Sequence, residues 1–321
     1  MTSITQAGPA VTAGPAALPR KTRPPKRDVR KKLEIALFVG PALIIFLGFV
    51  ILPVALAAVY SFFNWNGLGP LDRFIGFDNY VRAFNDPLFV KSIGNNFTIV
   101  ALSLLIQGPL AITVALLLNR KMRGRNFIRL AIFVPYVLAE VIAGLSWKLL
   151  LSPSGGVNAV LEAIGLGELA QPWLANPDIA LWVMFGIISW KYLGFAILLM
   201  LAGLQGVPED LSEAAAIDGA TWWQTQWNIT LPLLAPTIRI WAFLSIIGSL
   251  QLFDMVWVTT RGGPVGATST MATYMIQYGQ GQPGYGSAIA VILFLISLVL
   301  AVVYQRFALR RDLGVNTNEV K

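Results

Sequence analysis

The residues of this 321-residue chain that could do chemistry are few, and most of them sit inside apolar runs. There is no cysteine and no histidine. Disulfides, thiolate metal sites and a cysteine nucleophile are excluded, and the commonest general base and metal ligand are missing. No cluster of Asp and Glu offers metal or acid–base geometry, so neither catalytic residues nor a metal site are expected. No G-x-x-x-x-G-K-[ST] loop occurs, so the chain is not expected to bind ATP itself. The glycines from Gly279 to Gly286 lack that pattern and read as a flexible outer loop. What remains are single polar groups in apolar surroundings. Glu140 and Lys191 fall near the middle of such runs, and Lys148, Arg239 and Asp254 lie toward their ends. Tyr192 and Phe195 follow Lys191, while Ser245 and Ser249 stand at i, i+4 with Gln251 beyond. These groups suit hydrogen bonding and stacking, which is the chemistry of holding a polar solute. Structural readings stand beside that one. Glu140 and Lys191 could pair with each other, the end-of-run charges could snorkel, and the serines could serve helix packing.

The elements that must position these residues follow from composition. The chain is 56% hydrophobic and 12% charged, with mean hydropathy +0.66. Soluble domains carry about 25% charge, so lipid is the solvent for most of this one. Apolar blocks lie at roughly 35–63, 96–118, 127–150, 179–204, 233–258 and 288–309. Each is long enough to cross a hydrocarbon core of ~30 Å as a helix, and the runs are continuous instead of alternating. The predicted fold class is all-α, a polytopic membrane protein of six transmembrane helices. The first block is too long for a signal-peptide core, so it is read as a retained span. Residues 1–33, rich in Pro, Ala and basic residues, read as a disordered tail. Residues 34–311 form the membrane domain, with a loop at 205–233, and 312–321 form a second tail.

Loop charge gives the orientation. Lys and Arg crowd the N-terminal tail, the loop carrying Arg120, Lys121, Arg123 and Arg125, and the end carrying Arg306, Arg310 and Arg311. The alternate loops hold few basic residues, or basic residues offset by acids. Both termini are therefore expected in the cytoplasm of a cell with a plasma or inner membrane. One loop on that side breaks the rule, because 205–232 carries Glu209, Asp210, Glu213 and Asp218 and no Lys or Arg. Pro208 suits a helix start, and Glu209 and Asp210 suit the positive end of its dipole. Leu211, Ala214 and Ala215 share a small face, and Asp218-Gly219 is a stop. Trp222, Trp223 and Trp227 suit the membrane–water boundary. Physics alone leaves open an interfacial connector and a docking helix.

Glu213-Ala214-Ala215, Asp218-Gly219-Ala220 and Ile229-Thr230-Leu231-Pro232 resemble the EAA loop of permease subunits of binding-protein-dependent ABC importers. The resemblance extends over roughly 35–310, through Phe133-Val134-Pro135-Tyr136, Trp190-Lys191 and Thr260-Arg261-Gly262-Gly263-Pro264. It points to sugar-type permeases, and to the first of the paired permeases of maltose- and glycerol-phosphate-type importers. Where the family pattern has an aromatic and a glycine, this chain has Gln226 and Arg261. The resemblance implies a type I importer permease fold whose loop couples to a motor through Glu213, Ala214, Ala215, Asp218, Gly219, Leu231 and Pro232. It implies a second related permease, two copies of a cytoplasmic ATPase that binds the ATP, an extracellular or periplasmic solute-binding protein, surrounding lipid, and a sugar as cargo. Neither a cofactor of its own nor a nucleic-acid partner is implied. The sugar path falls to the fourth and fifth spans, with Lys191, Tyr192, Phe195, Ser245, Ser249 and Gln251 as candidates. Lys191 is the one basic residue near mid-span, which favours a neutral saccharide over a phosphate. Two other classes fit the sequence less well. A stand-alone secondary transporter leaves the acidic loop unexplained, and an integral membrane enzyme needs a polar cluster that is missing.

Overall fold

The computed structural model describes residues 29–309 apart from Lys121. Most of the expected N-terminal tail, and the tail at 312–321 together with Arg310 and Arg311, lie outside these residues. The chain divides into two compact units, 1–53 and 54–321. In the first, the helix begins at Val29, inside the stretch expected to be disordered. Arg30, Lys31 and Lys32 are strong helix formers and extend the apolar run backwards. This helix, α1, counts as a span over Glu34–Tyr60.

The second unit continues with a short helix α2 (Asp78–Asn85) and a long span α3 (Pro87–Asn119). Then come α4 (Arg125–Val137), α5 (Glu140–Leu150), α6 (Gly156–Ala163) and the span α7 (Ala180–Leu204). The loop helices α8 (Glu209–Ile217) and α9 (Trp222–Thr225) lead through a π turn into α10 (Leu231–Leu250). After α11 (Asp254–Thr259) and α12 (Met271–Gly279), the last span α13 covers Pro283–Ala308. Among the described residues five helices are long and apolar enough to cross a membrane, or six when the bent pair α4 and α5 counts as one span. The expected six-span, all-α class stands.

Three boundaries differ from expectation. Span α3 starts at Pro87, not near 96, because Asp86 accepts from the Leu88 amide at 2.8 Å and Pro87 opens the helix. Its polar first turns escaped a hydropathy reading, since Ser92, Asn95 and Asn96 are buried against protein. The third span is not one straight helix. It bends by 97° between α4 and α5, where Leu138 and Ala139 are extended. Pro135 has no N–H for the Ala131 carbonyl and weakens the last turn of α4. The fifth span stops at Leu250 and resumes at Asp254. Asn96 donates to the carbonyls of Ser249 and Leu250, at 2.7 and 3.2 Å, and Thr270 to that of Leu252 at 2.8 Å. A helix end inside an apolar bundle persists when such donors meet its freed carbonyls.

Packing brings α3, α7 and α10 together around Ala111, Ala115, Ile197, Met200 and Leu234. A second cluster joins α5, α7 and α11 through Ala143, Met184, Ile188 and Met255. At Gly194 a Cβ would lie 2.2 Å from the Ile132 carbonyl oxygen, so α4 and α7 touch backbone to backbone. The glycines 279–286 form no loose loop. Gly284 lies in α13, where a Cβ would stand 2.2 Å from the Phe63 carbonyl oxygen, and its amide donates to Trp65 at 3.1 Å.

Candidate functional site

A cavity of ≈ 170 Å³ opens where α3, α4, α7 and α10 meet. Tyr192, Phe195, Ser245 and Ser249, all expected from sequence, line it. Tyr136, Ser103, Gln107 and Trp241 line it as well, and sequence reasoning had not placed them there. Tyr136 stacks on Phe195 with ring centroids 5.0 Å apart and planes at 21°, and meets Tyr192 edge-on at 6.1 Å. The bend brings Tyr136 here, since it sits in the last turn of α4. The wall therefore has an aromatic corner, two serines on successive turns of α10, and an amide from α3. No acidic or basic side chain lines the cavity among the described residues.

Lys191 and Gln251 are not at this cavity. The Lys191 side chain is 2% exposed, and its ammonium donates to the carbonyl oxygens of Leu138 at 2.6 Å and Tyr136 at 3.4 Å. It caps the broken end of α4. The neighbouring Tyr192 hydroxyl donates to the Glu140 carboxylate on the first turn of α5. Glu140 and Lys191, which could have paired, instead bond either side of the same break. Gln251 is exposed at the residue where α10 ends, which turns it away.

The acidic loop forms the expected helix, turn and helix. Gly219 has φ +80°, a conformation that ends α8 without strain. Thr221 and Gln224 form a capping box that opens α9. Glu213 and Ala214 face outward, whereas Ala215 is buried, so it does not share the free face with Leu211 and Ala214. Ile217, 86% exposed, extends that face instead. Glu213 and Gln226 line one open cleft of ≈ 570 Å³ with Glu209, Ser212 and Thr230. Leu231 is half-buried, and Pro232 is exposed in the first turn of α10. The Arg120 guanidinium lies 4.2 Å over the Trp222 ring, which puts the basic loop after α3 at the same end as the acidic loop. Trp223 and Trp227 are exposed, at 60% and 66%.

At the other end, the Tyr274 hydroxyl lies 2.5 Å from Asp86 Oδ2 and 3.0 Å from the Tyr285 hydroxyl. The Arg82 guanidinium covers Tyr285 at 4.1 Å. Burial, then the bonds to Asp86 and Tyr285, push the Tyr274 hydroxyl well above the usual tyrosine range. Beyond α11, Arg261 has φ +54° and Val265 φ +45°, around a cis Gly263–Pro264 bond.

Four membrane helices meeting at a cavity whose apolar wall carries a few hydroxyls and an amide, with a helix–turn–helix exposed at one end, suit a solute permease. Residues 107–312 match the family model described as binding-protein-dependent transport system inner membrane component. Among curated relatives, the chain is 34% identical over 281 residues to the trehalose/maltose transport system permease protein of Thermococcus litoralis, covering 86% of this chain and 94% of that one. It is 35% identical over 301 residues to the sulfoquinovosyl glycerol transport system permease protein of Agrobacterium fabrum, covering 92% and 96%. A solved bacterial alginate ABC transporter, in complex with an alginate pentasaccharide-bound periplasmic protein, contains a chain that superposes with TM-score 0.78 at 26% identity, covering 88% of this chain and 96% of that one. The chain belongs to the family of binding-protein-dependent transport system inner membrane components, the permeases of ABC importers.

Proposed function

We propose that this permease carries a neutral saccharide through the cavity between α3, α4, α7 and α10. The carrying observation is the cavity wall, which offers aromatic faces, hydroxyls and an amide, and no charge. Lys191, the mid-span cation, is committed to main-chain carbonyls, and no cation lines the cavity among the described residues. The relatives named above serve sugars of several kinds, which supports a saccharide without choosing one. The permease works as a pair with a second, related permease and takes its cargo from a solute-binding protein. It binds no cofactor, and two copies of a cytoplasmic ATPase bind the ATP. The motor engages the α8 face at Leu211, Ala214 and Ile217 beside Glu213 and Ala215, with Asp218-Gly219 setting the turn and Leu231-Pro232 passing the motion to α10. Both termini lie in the cytoplasm, on the side of the basic loop that meets Trp222.

The test is reconstitution of the whole importer in proteoliposomes, with ATP hydrolysis and uptake measured against a panel of neutral and acidic sugars. Stimulation by a neutral sugar is expected, and stimulation by acidic sugars alone would overturn the reading. Glu213→Lys is expected to abolish uptake and weaken ATPase association. Uptake and association both left intact would remove the coupling role.

A further inference from the structure

We infer that Gln107 is the group that reads one hydroxyl of the cargo, and that the cavity holds one six-membered sugar ring at a time. This rests on the saccharide reading above. Gln107 is 4% exposed and lines the cavity, and its Nε2 has no hydrogen-bond partner among the described residues. A buried amide nitrogen left without a protein acceptor is unfavourable, and a molecule in the cavity can supply the acceptor. A lipid-facing or packing position would be filled by an apolar residue, as at Leu104, Leu105, Ile106 and Leu110 of the same span. Gln107 is also the last residue of a π turn, Ser103–Gln107, ahead of Gly108 and Pro109. Such turns are frequent at functional sites. Two independent features therefore fall on one residue.

The other polar groups of the wall narrow the role. The Tyr192 hydroxyl is taken by Glu140, so it is not free to donate to a ligand. The Gln107 amide carries two N–H donors and needs oxygen acceptors, which a hydroxyl or ring oxygen of a saccharide supplies. A carboxylate or phosphate would also accept, but no cation lines the cavity to offset its charge. The volume sets the size. A cavity of about 150 Å³ accommodates benzene. The ≈ 170 Å³ here admits one pyranose-sized ring, with the stacked pair Tyr136 and Phe195 as the apolar face beside it.

The experiment uses the full importer in proteoliposomes, with maltose, trehalose and diacetylchitobiose as probes, followed by the monodeoxy analogues of whichever is taken up. Gln107→Leu is expected to raise KM about tenfold or more while the maximal rate changes less than about twofold. One monodeoxy analogue should then be carried equally by wild type and variant, because the group that Gln107 reads is absent from it. A general packing defect would not single out one hydroxyl. If Gln107→Leu does not assemble with its partners, Gln107→Met, which keeps the side-chain length, carries the same comparison. An unchanged KM, or equal loss across every analogue, overturns the role of Gln107 while leaving the saccharide reading in place. A wild-type importer that carries none of the three probes and no other neutral sugar overturns both.

Discussion

The ammonium nitrogen of Lys191 lies 2.6 Å from the carbonyl oxygen of Leu138, at the residue where the third span breaks. The next residue, Tyr192, holds Glu140 on the far side of the break. Two adjacent residues of α7 thus fix a 97° bend, and the bend delivers Tyr136 to the cavity. Lys191→Met keeps the length and loses the donor. Hydrogen bonds to charged groups contribute about 1.5–3 kcal/mol. The variant is expected to be about 3 kcal/mol less stable, seen as a lower melting temperature in detergent. Melting at the wild-type temperature would show that the bend stands without Lys191.

The two halves of the site differed in legibility for physical reasons. Tyr192, Phe195, Ser245 and Ser249 could be read because polar or aromatic residues at helical spacing inside an apolar run must face something other than lipid. The bend could not, because 127–150 is apolar throughout and a proline such as Pro135 is compatible with a merely kinked helix. That hid Tyr136, and it hid the freed carbonyls of Tyr136 and Leu138 to which Lys191 donates. Gln251 was misplaced because its position assumed a helix that in fact ends at Leu250. Gln107 was missed because the sugar path was assigned to the fourth and fifth spans, and Gln107 lies in the second. The signal was Gln107-Gly108-Pro109, a polar residue and two poor helix formers together inside one span. The loop was the most legible element, since α8 runs over Glu209–Ile217 as its proline, acids and Asp218-Gly219 stop required.

Ile217 tests the proposed motor contact without touching the fold. Its side chain is 86% exposed on a helix with no basic residue nearby in sequence. An exposed isoleucine in an acidic loop has no role in the isolated subunit, but it suits a partner pocket. Ile217→Asp is expected to leave expression and melting unchanged and to reduce uptake about tenfold, a loss of about 1.4 kcal/mol. Normal uptake would move the contact elsewhere on α8.

Tyr274 gives a pH dependence with a definite sign. Its hydroxyl is buried against Asp86 and Tyr285, which holds the folded-state pKa above the unfolded value of about 10. The contribution to stability is therefore fully present below about pH 10 and falls as pH rises beyond it, by up to about 1.4 kcal/mol per unit. Tyr274→Phe loses the hydrogen bonds, so it is less stable at neutral pH. It also loses this share of the alkaline decline, so the gap to wild type narrows above about pH 10. Urea or thermal unfolding in detergent at several alkaline pH values measures it, and a gap constant with pH would refute the assignment.

Arg261 stands where relatives of this branch were expected to carry glycine, and the backbone gives the reason. Val256 accepts from Thr260 at 3.0 Å and from Arg261 at 2.9 Å, so Arg261 is the left-handed residue that closes α11. A left-handed conformation costs a residue with a Cβ about 1–2 kcal/mol, and glycine nothing. Glycine brings back up to about 1 kcal/mol through the freer unfolded chain. The guanidinium lies 5.8 Å from the Trp257 ring on an exposed side chain, a contact too weak to reverse the balance. Arg261→Gly is therefore expected to raise stability by about 0.5–1 kcal/mol, and Arg261→Val, with its branched Cβ, to lower it. Comparing the melting temperatures of the two variants with wild type decides the matter. A destabilised glycine variant would mean that the arginine side chain, and not the turn, governs this position.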